Sequence, residues 1–107
     1  NVTTGDCNVG VGHIAGSLII GGTANTNPSD SVFIGAGTKA NSFNNYNQIV
    51  IGYNAVGEGN NTARIGNSAL EQLHVGGSNA GIVLKSPNGT AYTIQVTNAG
   101  ALTVTAL

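Results

Sequence analysis

The chain has 107 residues, a formal net charge of −1 and 17 glycines, and only 7% of its residues are charged. This length excludes a large enzyme with separate cofactor and substrate domains, and three basic residues cannot neutralise a run of phosphates, so we expect no nucleic-acid partner. A lone cysteine excludes a disulfide-stapled mini-domain, and no apolar run approaches the roughly 18 to 20 residues that cross a bilayer, so we expect no membrane insertion.

About half of the chain consists of Gly, Asn, Ala and Thr, whereas Lys and Glu, which fill exposed helix faces, are scarce. Gly and Asn favour turns, and Thr, Val and Ile favour strands, so the composition predicts an all-β protein. A hydrophobic content of 40% argues against disorder.

From residue 9 to residue 76 the sequence repeats a short pattern in which two apolar residues flank a variable one and a glycine follows. The flanking positions are apolar throughout. This alternation predicts short strands whose constant apolar face is buried, with Ile19, Phe33 and Val50 exposed on the variable face. The six copies are Val9–Gly12, Leu18–Gly21, Val32–Gly35, Ile49–Gly52, Ala63–Gly66 and Leu73–Gly76.

The glycines that end the copies are 9, 14, 17, 14 and 10 residues apart. A strand, a tight glycine-led turn and a second extended segment fill 14 residues, so residues 1–77 are predicted to form a parallel β-roll or β-helix. An alanine often follows three residues after the glycine, as in Gly12 and Ala15 or Gly52 and Ala55. This offset indicates a close approach between turns or between chains.

The 17-residue step contains an Asn-rich insertion with two aromatic residues, Asn41–Asn47, which we expect to protrude. Its Phe43, Asn44, Asn45 and Tyr46 are candidates for ligand contact, because Tyr and Asn adapt well to polar partners. The alternative is an enlarged turn with no role in binding, whose Phe43 packs on a neighbouring segment.

Residues 78–107 lack the repeat and alternate apolar with polar residues between two turn sequences, Pro87–Gly89 and Asn98–Gly100. The pattern predicts a small antiparallel β-meander with one apolar face. About thirty residues cannot close a core alone, and a thin roll has the same difficulty. We therefore expect an intertwined homotrimer, in which two further copies of the chain cover the apolar faces.

Two segments resemble known families. Ser31–Gly35, Gln48–Ala55 and Thr62–Ala69 are similar to the head repeats of trimeric autotransporter adhesins, over roughly residues 8–77. The segment Leu84–Leu102 resembles the C-terminal end of many bacteriophage tail fibres. An adhesin would continue into a stalk and a membrane anchor, whereas this sequence stops on Leu107, so we favour the second resemblance.

The tail-fibre resemblance implies a structural virion protein, the homotrimeric tip of a fibre that acts outside the host cell and binds a host polysaccharide or lipopolysaccharide. The alternative is the head fragment of a bacterial adhesin. The absence of an initiator methionine and of a signal peptide leads us to expect a fragment of a longer chain. The receptor-contact candidates are Phe43, Asn44, Asn45, Tyr46, Tyr53 and Arg64.

Catalysis is the main rival to binding, because some fibres cleave their polysaccharide receptors. Glycoside hydrolysis needs two carboxylates about 5 to 10 Å apart. Asp30 and Glu58 flank successive repeats, but both lie in turn-like sequence, where a carboxylate more often caps a backbone amide. We therefore predict no enzymatic activity and no cofactor, with a polysaccharide depolymerase as the less favoured alternative.

His13 and His74 have no neighbouring ligand at a metal-binding spacing, so no metal site is predicted from one chain. At the axis of a trimer, either histidine would be present three times and would form a three-nitrogen site without a local motif. Cys7 is expected to be a small buried hydrophobic residue rather than a nucleophile.

Overall fold

The computed structural model describes residues 5–107. Within this range all regular secondary structure is β, in parallel and antiparallel sheets, which confirms the all-β prediction. The chain divides into two compact units, Asn1–Glu71 and Gln72–Leu107, whereas the repeat pattern predicts a division after residue 77. Residues 5–107 include no helix that is long and apolar enough to span a membrane.

The first unit builds two parallel sheets from short strands in its described part. A four-stranded sheet has the order β1, β3, β5, β6, and a two-stranded sheet pairs β2 with β4. The strands are β1 (Val9–Val11), β2 (Leu18–Ile19), β3 (Val32–Ile34), β4 (Lys39–Ala40), β5 (Gln48–Ile51) and β6 (Thr62–Ile65).

The four-stranded sheet aligns copies of the repeat side by side. Val9 pairs with Val32, Val32 with Ile49, and Ile49 with Ala63, so aligned positions are 23, 17 and 14 residues apart. The predicted 14-residue step holds only for the last pair. The other connections are longer, yet the strands stay in register because backbone hydrogen bonds between the strands set their alignment.

Two of the six predicted copies do not join this sheet. Leu18–Gly21 begins a tight turn in which the Ile19 amide donates to the Thr23 carbonyl (2.8 Å). Its strand, β2, pairs with β4 instead of joining the four-stranded sheet. Leu73–Gly76 forms no strand. The prediction of six equivalent strands is therefore wrong, because a four-residue pattern does not specify which sheet, if any, its residues join.

The predicted assignment of the buried and exposed faces is also wrong for the single chain. Phe33 and Val50, at the variable position, are 0% exposed, and Ile19 packs against the cluster that they form. Ile34 and Ile49, at the constant apolar positions, are 38% and 43% exposed. The apolar face that never varies in the sequence is thus the face that the single chain leaves open.

The core explains this reversal. The chain turns back after each strand, and side chains from the turns and from the two-stranded sheet pack on the variable positions. These side chains have to be small: they are Ala15, Ala40 and Ala55, all buried. The alanines that follow the repeat glycines therefore mark close packing inside one chain, at Ala15 and Ala55, while Ala24 and Ala69 are exposed.

The glycines that follow the strands stack on one another. The Gly35 amide donates to the Val11 carbonyl and the Gly52 amide to the Ile34 carbonyl, both at 2.8 Å. Gly35 has a φ of 122°, and a Cβ at this position would lie 2.8 Å from the Gly52 carbonyl oxygen. Backbone conformation and space together require glycine there, which explains why glycine ends the aligned copies.

Polar side chains also lie inside the first unit. The Ser31 hydroxyl accepts from the Gln48 backbone amide (3.1 Å) and donates to the Ser29 carbonyl (2.8 Å). The Gln48 side chain is 1% exposed, and neither its Oε1 nor its Nε2 has a hydrogen-bond partner among the described residues. An unpartnered buried amide lowers stability, so Gln48 is a weak point of the interior.

The second unit is an antiparallel meander of β7 (Ile82–Lys85), β8 (Ala91–Val96) and β9 (Leu102–Ala106). Ile82 pairs with Ile94 and Ile94 with Val104, which places the alternating apolar residues on one face as predicted. Much of that face is open, since Leu102 is 69% and Val104 62% exposed.

Replacing Gly35 by alanine is expected to lower the free energy of unfolding by about 3 kcal/mol or more, because the new Cβ combines backbone strain with overlap on the Gly52 carbonyl. Gly21→Ala is the matched control: its φ of 92° is also positive, but apart from its two chain neighbours no atom of the described residues lies within 4 Å of the place that its Cβ would take. It should cost only about 1 kcal/mol. Denaturant titration measures both, and equal losses would contradict the close stacking of the turns.

Gln48→Met is expected to raise the free energy of unfolding by about 1 kcal/mol or more, because an apolar side chain of similar length removes two unpartnered buried atoms. Ser31→Ala should instead lower it by about 1 kcal/mol, because the Gln48 backbone amide loses its acceptor. Thermal unfolding at fixed protein concentration measures the pair. A destabilised Gln48→Met variant would show that the side-chain amide has partners that stabilise it.

Candidate ligand-binding cleft

A cleft of about 360 Å³ opens on the first unit. Its polar side chains come from a loop, two turns and the edge strand β6, and two apolar side chains complete the wall. The polar residues are Asn41, Asn54, Glu58, Arg64, Asn67 and Ser68, and the apolar ones are Ile20 and Val56.

Arg64 occupies the variable position of β6, where it pairs with Val50 of β5. At this position the two preceding strands, β3 and β5, carry the core residues Phe33 and Val50. Because β6 is the edge strand of the sheet, the Arg64 side chain can reach water. Arg64 Nε donates to the Gly66 carbonyl (2.9 Å), and its Nη1 forms an ion pair with Glu58. The charged residue therefore ends the apolar column and forms part of the cleft wall.

Two asparagines come from consecutive turns that the sheet stacks on one another. Asn54 lies in the turn after β5, with a φ of 52° that asparagine tolerates. Asn67 follows β6; its Nδ2 donates to the Tyr53 carbonyl (2.8 Å), and its Oδ1 accepts from the Ala69 amide (2.8 Å). These bonds fix the Asn67 side chain beside the turn that carries Asn54.

Asn41 contributes an acceptor without a partner. Its Oδ1 is buried and forms no hydrogen bond with the described residues, although the residue as a whole is only partly buried. A buried amide oxygen is normally satisfied by protein or water, so this atom lowers the stability of the loop; because it is closed to solvent, it is not a contact for a ligand in the cleft.

The charges of the cleft balance. Glu58 and Arg64 are its only ionisable wall residues within the described chain, and they pair with each other. An Arg side chain has five N–H donors, of which the bonds to Gly66 and Glu58 use two. The pair therefore offers further donors to a ligand without a net charge.

The structure separates the six predicted contact residues into two groups. Arg64 lines the cleft, and Tyr53 is the residue next to Asn54, with 69% of its surface exposed. Phe43 and Tyr46 are exposed at 43% and 45%. These two, with Asn44 and Asn45, lie in the Asn-rich loop and do not line the cleft.

Asparagine pairs hold the Asn-rich loop against its neighbours. Asn45 Nδ2 and the Tyr46 amide both donate to Asn60 Oδ1, at 3.1 and 2.9 Å, and Asn27 Nδ2 donates to Asn44 Oδ1 at 3.1 Å. The amide groups of this loop are thus partly used in its own structure, which leaves the exposed rings of Phe43 and Tyr46 as its available surface.

The remaining candidates do not assemble into a site. His13 is exposed in the turn after β1, and His74 Nε2 lies 2.8 Å from Gln72 Oε1. Residues 5–107 hold no group of three or more His, Cys, Asp or Glu side chains that could bind a metal ion. Cys7 is exposed, with a φ of 58°, so the prediction that it is buried is wrong: it precedes β1 in a bend.

Most of the cleft residues are not identifiable from the sequence. Val56 belongs to no motif, and Asn41 and Ser68 lie inside recognised segments without any signal of their own. Glu58 stands out only as one of four acids. A signal does exist for Asn54 and Asn67, since each follows a repeat glycine by one or two residues. Polar residues just after aligned strands of a parallel sheet lie at one edge, so in-register copies would have indicated this pair.

No protein-family model matches the chain, and no curated protein or solved structure is significantly similar to it.

The Glu58–Arg64 pair is expected to contribute little to stability, because its side chains are 56% and 35% exposed and are screened by water. A double-mutant cycle with Glu58→Gln and Arg64→Gln should give a coupling energy of about 0.5 kcal/mol, which falls as salt is added. Chemical unfolding of the four proteins measures it. A coupling above about 2 kcal/mol would assign the pair to the fold rather than to the surface of the cleft.

Proposed function

We propose that this chain is the trimeric receptor-binding end of a bacteriophage tail fibre, which binds a polysaccharide or lipopolysaccharide on the host bacterium. In this proposal the parallel strands form a β-roll, and the C-terminal meander is a separate β-sheet region of the same trimer. The protein is part of the virion and acts outside the cell. The observation that carries the proposal is the open apolar face of the four-stranded sheet.

That face consists of two columns of apolar side chains. One column is Val9, Val32, Ile49 and Ala63, and the other is Val11, Ile34, Ile51 and Ile65. Five of the Val and Ile side chains are exposed, from 38% at Ile34 to 56% at Val11. Completing their burial would stabilise the protein by about 1 kcal/mol per side chain.

Further copies of the chain are the partner that fits this face. Neither column contains a charged residue, so the face complements itself and offers no charge pattern for a different protein. The meander supports the same conclusion, because it exposes a second uncharged apolar face with Leu84, Leu102 and Val104. Both sheets leave an apolar face exposed, and an assembly of identical chains would bury these faces.

The resemblance of Leu84–Leu102 to tail-fibre ends supports a phage rather than a bacterial origin. This segment runs from the end of β7 into β9, so it includes most of the meander. The aligned strands between residues 9 and 65 fit the adhesin alternative equally well, which makes the meander the discriminating part.

The cleft and the loop favour binding over cleavage. Glu58 is paired with Arg64 rather than with the second carboxylate that glycoside hydrolysis requires. Asp30, its predicted partner, is not part of the cleft. The exposed Phe43, Tyr46 and Tyr53 rings are suited to stacking against sugars, which needs no catalytic group.

The protein is expected to have a mass of about 32 kDa in light scattering, three times the 10.6 kDa chain. Ile49→Lys should shift it to lower mass, because a charge would be buried at the interface while the core on the opposite face is untouched. Ser42→Lys, at an exposed position of the Asn-rich loop, is the matched control and should stay trimeric. A folded monomer of the unaltered chain would refute the assembly.

Receptor binding is tested with fluorescently labelled protein and bacteria. The protein should adsorb to cells that carry surface polysaccharide and fail to adsorb to isogenic cells that lack it, and purified polysaccharide should compete. Equal adsorption to both strains would contradict a glycan receptor. Release of reducing ends from the polysaccharide would support the depolymerase alternative instead.

A further inference from the structure

The cleft has the polar groups that recognise hydroxyls. Asn41, Asn54 and Asn67 carry amides, which both donate and accept hydrogen bonds, and Ser68 adds a hydroxyl. Sugar hydroxyls likewise donate and accept.

The charge of the cleft selects among such ligands. Glu58 neutralises Arg64, so an acidic ligand that approached the guanidinium would meet the carboxylate at close range. The negative charges of the ligand and of Glu58 would repel each other. The pair therefore favours an uncharged ligand, to which Arg64 still offers the N–H groups that its two bonds leave available.

The apolar wall and the volume of the cleft fit one pyranose ring. Ile20 and Val56 supply apolar surface, against which the C–H face of a pyranose can pack. The cleft, at about 360 Å³, is at the small end of the range of ligand pockets, roughly 300 to 1,000 Å³. None of the eight residues that form the two open apolar columns lines the cleft, so assembly through those columns does not require its residues.

From these observations we infer that the cleft is the sugar-binding pocket of this chain and takes one neutral pyranose residue of a polysaccharide, with the Arg64 guanidinium as its hydrogen-bonding anchor. The inference rests on the proposed polysaccharide-binding function and adds the site, the type of sugar and the charge selectivity.

The test is a titration of the ¹⁵N-labelled full chain with two sets of sugars, observed by NMR. The neutral set is D-glucose, D-galactose, D-mannose, L-rhamnose and N-acetyl-D-glucosamine, and the acidic set is D-glucuronic and D-galacturonic acid. At least one neutral sugar should shift the side-chain amides of Asn41, Asn54 and Asn67, with a dissociation constant in the millimolar range. The acidic sugars should leave these signals unchanged.

Three variants separate a sugar pocket from a structural feature. Arg64→Gln removes the guanidinium donors and should weaken binding of the neutral sugar about tenfold without loss of folding, because the ion pair with Glu58 contributes little to stability. Glu58→Gln removes the repelling carboxylate and should strengthen binding of the acidic sugars about fivefold or more while neutral binding persists. Glu71→Gln changes the charge by the same amount at an exposed residue outside the cleft and should alter neither.

The outcomes distinguish the pocket from the function. If the protein adsorbs to polysaccharide-bearing cells but neutral sugars shift only the Asn44 and Asn45 amides, or no amide, the cleft is not the site and the proposed function stands. If acidic sugars bind the unaltered chain more tightly than neutral ones, Glu58 does not select against acidic ligands and the inferred selectivity is wrong. If the chain neither adsorbs to such cells nor responds to any sugar, both proposals are overturned.

Discussion

Parallel, in-register pairing of four short strands determines where the turns of the first unit lie in the described part of the chain. Once Phe33 is aligned with Val50 and Val50 with Arg64, the glycines after the strands stack, and the turns that follow the strands come to one edge. The stacking is close, because a Cβ at Gly35 would overlap the backbone of the next turn. The cleft at Arg64 exists because these turns are aligned.

The same pairing divides the side chains into an inner set and an outer set with different requirements. Inner positions hold side chains as different as the large ring of Phe33 and the amide of Gln48, and small alanines pack in one cluster with Phe33 and Val50. Outer positions are uniformly apolar. In an isolated chain this uniformity would be unfavourable, since water contacts Ile34 and Ile49, so its presence is the strongest physical reason to expect that the outer columns have a partner.

Much of the architecture was predictable from local patterns. Composition indicated an all-β chain, the turn sequences at Pro87–Gly89 and Asn98–Gly100 predicted the meander, and glycine at the end of each copy marked the strand ends of the aligned copies. The site was less predictable: of the six candidate residues only Arg64 lines the cleft. The wall residues of the cleft come from separate segments, near residues 20, 41, 54–58 and 64–68, which meet only through strand alignment.

The sequence by itself therefore determined most of the strand-forming segments, except β4 and the strand expected at Leu73–Gly76, and it determined the alternation of their two faces. Both follow from backbone preferences and a period of two residues. Which face is buried was decided only by the tertiary structure. Alternation identifies two faces, but the direction in which the chain turns after each strand decides that Phe33 and Val50 are enclosed and Ile49 is not. The same folding back placed Leu18–Gly21 in a tight turn and brought Asn41 to the cleft wall that contains Arg64.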